Sequence, residues 1–180
     1  MSSGIDPSRT FVPLRLAILT ISDTRTEEDD SSGKLLVSRA EAAGHEVVTK
    51  RIVRDDKLAI EEELRGLVDD AAVDVVISTG GTGITGRDVT PEAFAAVIEK
   101  ELPGFGEIFR MLSYAKIGTS TIQSRALGGV AGGTYLFAIP GSTGACKDAW
   151  DGIFAEQLDS RFRPCNFVEL MPRLREHLGR

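Results

Sequence analysis

The chain has 180 residues, a net charge of −6 and 42% hydrophobic residues, enough apolar content for one sizeable core. The acidic balance argues against nucleic acid as a general partner, and no apolar run is long enough to span a bilayer, so no membrane partner is expected. The opening MSSGIDPSRTF lacks the regions of a signal peptide, and Cys146 and Cys165 have no metal-type spacing, so the expected compartment is cytoplasmic. Residues 1–12 read as a disordered tail ahead of a single domain over 13–180. Leu14 to Ile21 has the apolar density of a buried strand, and Ser31 to Ala43 reads as a helix ended by Gly44. His45 to Val53 alternates as a second strand. Asp55-Asp56 precede a helix with Ile60, Leu64, Leu67 and Val68 on one face. Val73 to Ser78 is the third strand. Thr90-Pro91-Glu92 has an N-cap residue followed by proline, which predicts a helix from Pro91 to about Glu101. Further helical segments are expected over Gly106 to Ala115 and Thr119 to Ala126, then a strand over Thr134 to Ile139. The last clear helix spans about Gly144 to Asp159, with Cys146, Ala149, Trp150, Ile153 and Phe154 at helical spacing.

Strands alternating with helices imply an α/β fold with a mostly parallel sheet covered on both faces. Ligands of such sheets bind outside the carboxyl ends of the strands. The residues that follow each strand are Ser22-Asp23, then Asp55, then Thr79-Gly80-Gly81-Thr82-Gly83 with Asp88 beyond, then Pro140-Gly141-Ser142. Four loops thus bring glycine, hydroxyl or carboxylate groups to one edge. The glycine-rich turn after the third strand lets backbone N–H groups approach an anion, and the helix after it adds favourable partial charge. A carboxylate inside such a turn repels phosphate unless a cation lies between them or the carboxylate does chemistry. Together these features suggest phosphate handling with a hard metal ion such as Mg²⁺.

Simpler roles exist for each residue. Gly81-x-Gly83-x-x-Gly86 matches a dinucleotide fingerprint, but the helix starts four residues after Gly86 instead of enclosing it, and the strand is third rather than first. A phosphate-binding Walker loop fails because Arg87-Asp88 stand where Lys-Ser/Thr is required. Asp55 or Asp56 can cap the helix that follows, Asp23 can serve a turn, and Ser142 can cap the last helix. Asp88 can hold its own loop through an Asx turn or pair with Arg87. Trp150 reads as core, Cys146 as a buried free thiol and His45 as structural.

TGGTG at Thr79 to Gly83, RDVTPEA at Arg87 to Ala93 and PGFGE at Pro103 to Glu107 resemble the molybdenum-cofactor biosynthesis family that contains MogA, MoaB and the G domain of gephyrin. FRMLSYAKIGTSTIQSRALGGVAGGT, FAIPGSTGACKDAW and QLDSRFRPCNF are similar to its MoaB branch, and the resemblance runs from Leu14 to Phe167. The resemblance implies a three-layer α/β/α, molybdopterin-binding-like fold in homo-trimers or homo-hexamers. It implies molybdopterin and ATP as partners, with transfer of an adenylyl group from Mg-ATP to the terminal phosphate of molybdopterin and release of pyrophosphate. The alternative within the branch is a non-catalytic molybdopterin-binding or carrier protein. The implied catalytic and metal-holding residues are Asp55 and Asp88. The implied substrate-binding residues are Ser22, Asp23, Thr79, Gly80, Gly81, Thr82, Gly83, Ser113, Pro140, Gly141 and Ser142. Mg²⁺ enters with ATP, and no tightly bound prosthetic group is expected. The stretch Gly144 to Trp150 departs from the pattern of the G-type branch.

Overall fold

The computed structural model describes residues 3–176. A six-stranded sheet has the order β3-β2-β4-β7-β6-β5. Its strands are β2 (Arg15–Ile21), β3 (Glu46–Val53), β4 (Val75–Thr79), β5 (Lys100–Glu101), β6 (Leu127–Ala131) and β7 (Thr134–Ile139). β3, β2, β4 and β7 run parallel, while β6 is antiparallel to both β7 and β5.

Alternation along the strands sorts side chains onto the two faces. Leu16, Ile18, Val75, Ile77, Tyr135, Phe137 and Ile139 enter one core with α1 (Ser31–Ala42), α4 (Pro103–Ile117) and α5 (Thr143–Ala149). Ala17, Leu19, Ile21, Val76, Leu136 and Ala138 enter the other with α2 (Lys57–Asp69) and α3 (Thr90–Ala95). The sheet is therefore the middle of three layers, and its central strands are apolar on both faces, as parallel strands require. Trp150 is core, Cys146 is a buried free thiol and His45 is buried, with Nδ1 accepting from the Leu14 N–H at 3.2 Å.

Several sequence expectations are corrected. Residues 3–12 are not a disordered tail: β1 (Gly4–Ile5) pairs antiparallel with β8 (Phe162–Arg163), and the Val12 N–H donates to Ser160 Oγ at 2.8 Å. Residues 1 and 2, and His177, lie outside the described residues. The helix expected from Pro91 to Glu101 stops at Ala95, because the chain then peels into the sheet, with Glu99 N–H bonding Val130 O and Leu102 N–H bonding Gly128 O. Thr90 is its first residue rather than its cap, and the Thr90 hydroxyl donates to Gly80 O at 3.0 Å. The segment expected as helix over Thr119 to Ala126 is a 3₁₀ turn at Gly118–Gln123 followed by extended chain and then β6. β6 was hidden by Gly128-Gly129, since glycine has low strand propensity. Here a side chain at Gly128 would strike Phe137, so the absence of a Cβ permits the packing. The last long helix is interrupted by a π-helical turn at Trp150–Phe154 before α6 (Ala155–Gln157). The C-terminal segment adds α7 (Phe167–Leu170). No helix among the described residues is long and apolar enough to cross a membrane.

Candidate functional site

β3 and β4 lie on opposite sides of β2, so the direction of strand addition reverses between β2 and β4. A crevice opens at the carboxyl ends of strands at such a point. A cavity of about 330 Å³ lies there, with Ser22, Thr79, Gly80, Gly81, Thr82, Gly83, Asp88, Pro140 and Gly141 among its lining. A second cavity of about 240 Å³ shares Thr82, Gly83 and Pro140 with the first and adds Ser113, Ser142 and Gln123. The glycine loop is therefore the partition between two adjoining cavities. Of the residues expected from sequence, Asp23 and Asp55 line neither cavity but stand beside the loop, where the Asp55 N–H donates to Asp23 Oδ1 at 3.2 Å.

The loop is shaped by its glycines. Gly81 has φ +64°, and a Cβ there would lie 2.9 Å from Asp55 Oδ1 and collide with the Thr90 hydroxyl. Only glycine satisfies both demands. Thr79 ties the loop to the neighbouring strand end, its hydroxyl donating to Pro140 O at 2.9 Å. Ser32 does the same from α1, donating to Gly141 O at 3.0 Å. Ser22 Oγ accepts from the Thr24 and Arg25 N–H groups and so folds its own turn. Ser142 caps α5 by accepting from the Ala145 N–H, and Asp56, not Asp55, caps α2.

The two candidate carboxylates differ in environment. Asp55 Oδ1 is buried with no hydrogen-bond partner. Burial and then the charge of Asp88 push the Asp55 carboxyl above its usual range, against a hydrogen bond from the Val89 backbone N–H. Asp88 Oδ2 accepts from the Thr85 N–H at 2.8 Å and the Thr85 hydroxyl at 2.7 Å. Burial opposes its charge, but these bonds, the Gly83 N–H and Arg125 together hold it below the usual range. Arg87 pairs with Asp23 rather than Asp88.

Sequence reasoning missed a second polar group in the first cavity. Asp30 is 1% exposed and caps α1 by accepting from the Gly33 N–H. It also takes a hydrogen bond from Thr20 at 2.8 Å and an ion pair from Lys50 at 2.7 Å. Burial opposes the charge of Asp30, but Lys50, Gly33 and Thr20 outweigh it and lower its pKa. The available signal was an aspartate directly before a helix that starts at the same sheet edge.

A hard-oxygen donor set fits Mg²⁺ at the loop, since Asp55 offers an unpartnered carboxylate oxygen close to Asp88. Among the described residues, no group of three or more His, Cys, Asp or Glu side chains is placed to hold a metal alone. A cation there would need oxygens from a bound phosphate.

These features define an α/β protein with a polar, glycine-lined edge at the switch point of its sheet. The chain matches the family described as "Probable molybdopterin binding domain" over residues 17–160, and it belongs to that family. It is 53% identical over 160 residues to molybdenum cofactor biosynthesis protein B of Escherichia coli (strain K12), covering 89% of this chain and 94% of that one. A crystal structure of a molybdenum cofactor biosynthesis protein B superposes with a TM-score of 0.84 at 42% identity, covering 93% of this chain and 99% of that one. The tungsten cofactor synthesizing protein MoaB from Pyrococcus furiosus superposes at 0.72 with 32% identity, covering 91% and 98%. The chain thus takes its place among the proteins of molybdenum cofactor biosynthesis.

Proposed function

We propose that the chain binds molybdopterin and Mg-ATP and transfers an adenylyl group to the terminal phosphate of molybdopterin. The observation that carries this reading is the pair of cavities meeting at Thr82 and Gly83. Two ligands joined through phosphate can each occupy one cavity while their phosphates meet at the partition. A phosphate oxygen of molybdopterin attacks the α-phosphorus of ATP, the bond to the bridging oxygen of the β-phosphate breaks, and pyrophosphate leaves. The attacking oxygen is already anionic, so the reaction asks for positioning and charge neutralisation rather than a strong base. The Gly80 N–H is taken by Ile139 O, but the Gly81 and Thr82 N–H groups and the Thr82 hydroxyl are suited to phosphate oxygens, and Ser113 to the partner in the second cavity. Asp55 and Asp88 would hold Mg²⁺, which when bound neutralises phosphate charge.

One observation favours a carrier reading. Thr85 already gives Asp88 two hydrogen bonds, as a turn residue would have. Mass spectrometry after incubation of the protein with molybdopterin and Mg-ATP separates the two readings. The transferase reading expects adenylylated molybdopterin, whereas the carrier reading expects molybdopterin recovered unchanged.

A further inference from the structure

Arg125 stands outside the glycine loop in sequence, between the 3₁₀ turn and β6, yet it holds three of the loop's carbonyls. Its backbone N–H donates to Thr82 O at 3.0 Å, its Nε to Gly83 O at 2.7 Å and its Nη2 to Asp88 O at 2.7 Å. Its Nη1 pairs with Glu92 in the first turn of α3. In a trans peptide the carbonyl and the next residue's N–H point in opposite directions. Fixing the Thr82 carbonyl therefore sets the direction of the Gly83 N–H, and Gly83 packs so closely on the Asp88 carboxylate that a Cβ there would lie 2.7 Å from Asp88 Oδ2. Fixing the Asp88 carbonyl holds in place the residue whose Oδ2 accepts from the Thr85 N–H at 2.8 Å and whose own N–H donates to Thr85 O at 3.0 Å.

We propose that Arg125 is a positioning residue: it fixes the two peptide planes, Thr82–Gly83 and Asp88–Val89, that set the place of the Asp88 carboxylate in the loop. The inference deepens the transferase reading, because it concerns the same loop, but its structural part is testable without turnover. The two planes are held differently. The Thr82–Gly83 plane hangs on the Arg125 backbone and survives substitution, while the Asp88–Val89 plane hangs on the side chain.

The test is residue-resolved amide hydrogen exchange on the ligand-free full chain, for wild type, Arg125→Gln, Arg125→Lys and Glu92→Gln. Expected is exchange at the Thr85 and Asp88 amides about tenfold faster or more in R125Q, with Ile77 in β4 unchanged and the backbone amide at position 125, which holds Thr82 O, changed less. R125K, whose single ammonium can hold one carbonyl, falls between. E92Q stays near wild type, because the Nε and Nη2 bonds remain. If R125Q does not fold, R125K decides alone. Unchanged exchange at Thr85 and Asp88 in the folded variants would overturn the proposal, and so would equal acceleration at Thr85, position 125 and Ile77, which marks a general fold staple. Since no substrate is present, this result is independent of whether the wild type transfers adenylyl groups. Where it does, R125Q lowers kcat and leaves KM for Mg-ATP within about threefold, and an effect on KM alone would contradict a positioning role.

Discussion

Asp88 and Asp55 face one loop from unlike surroundings. Asp88 is held in its charged form by Thr85, Gly83 and Arg125 despite burial, and Asp55 carries a buried oxygen with no partner. Asp88→Asn keeps an oxygen for Thr85, so the turn survives while the charge is lost. On the transferase reading, this substitution lowers adenylyl transfer by about 10²-fold or more, with little change in melting temperature. Asp55→Asn behaves alike, and the double variant falls short of the product of the two effects, because the residues act as a unit. Full activity in the double variant would remove both carboxylates from the chemistry. His45 gives a separate prediction. Burial between Phe11 and Trp150 lowers its pKa, opposed in part by the charge of Asp159. The unfolded chain then takes up the proton first, so the His45 contribution is full above the ordinary histidine pKa of about 6.5 and falls as pH drops below it. Thermal melts from pH 7.5 to 5.5 should show this loss in the wild type and less of it in His45→Gln, and equal slopes would exclude His45 as the source. Residues that touch distant partners were the hardest to read from sequence. Asp30 sits directly before a helix, and its link to Lys50 spans 20 residues. Arg125 meets the loop across 37 residues or more, and no local pattern encodes that.

At the scale of elements, the central strands and the amphipathic helices were legible because periodicity is a local property. β2, β3, β4 and β7 lie close to where apolar runs placed them, and the glycine loop joins β4 to α3 as its residues suggest. What local pattern could not show was pairing. Lys100–Glu101 are polar and exposed, and they are a strand because β6 offers an edge. Gly128-Gly129 form a strand because Phe137 and Ile98 need the space. The same holds for Gly4–Ile5, whose ladder partner lies more than 150 residues away. Deleting residues 1–8 removes this ladder and the Asp6 N–H bond to Arg161 O. The expected result is a melting temperature lower by about 2–5 °C, equivalent to roughly 1–2 kcal/mol. An unchanged melting curve would show that the ladder adds nothing to stability.

For the whole molecule, the apolar surface left on α4 and beyond it is large. Met111, Tyr114, Ile117 and Ile122 are each more than half exposed, and Ile108 nearly so, while Phe105 and Phe109 are buried. Isolated domains seldom present such a group of side chains to water. The expected state is a closed homo-oligomer, a trimer or hexamer, and light scattering that gives a monomer at micromolar concentration would contradict it. ATP labelled at its α-phosphorus, incubated with Mg²⁺, molybdopterin and the protein, follows that atom directly. The label is expected to move to molybdopterin, with one pyrophosphate released for each label transferred. A label that stays in ATP while molybdopterin is bound would contradict it.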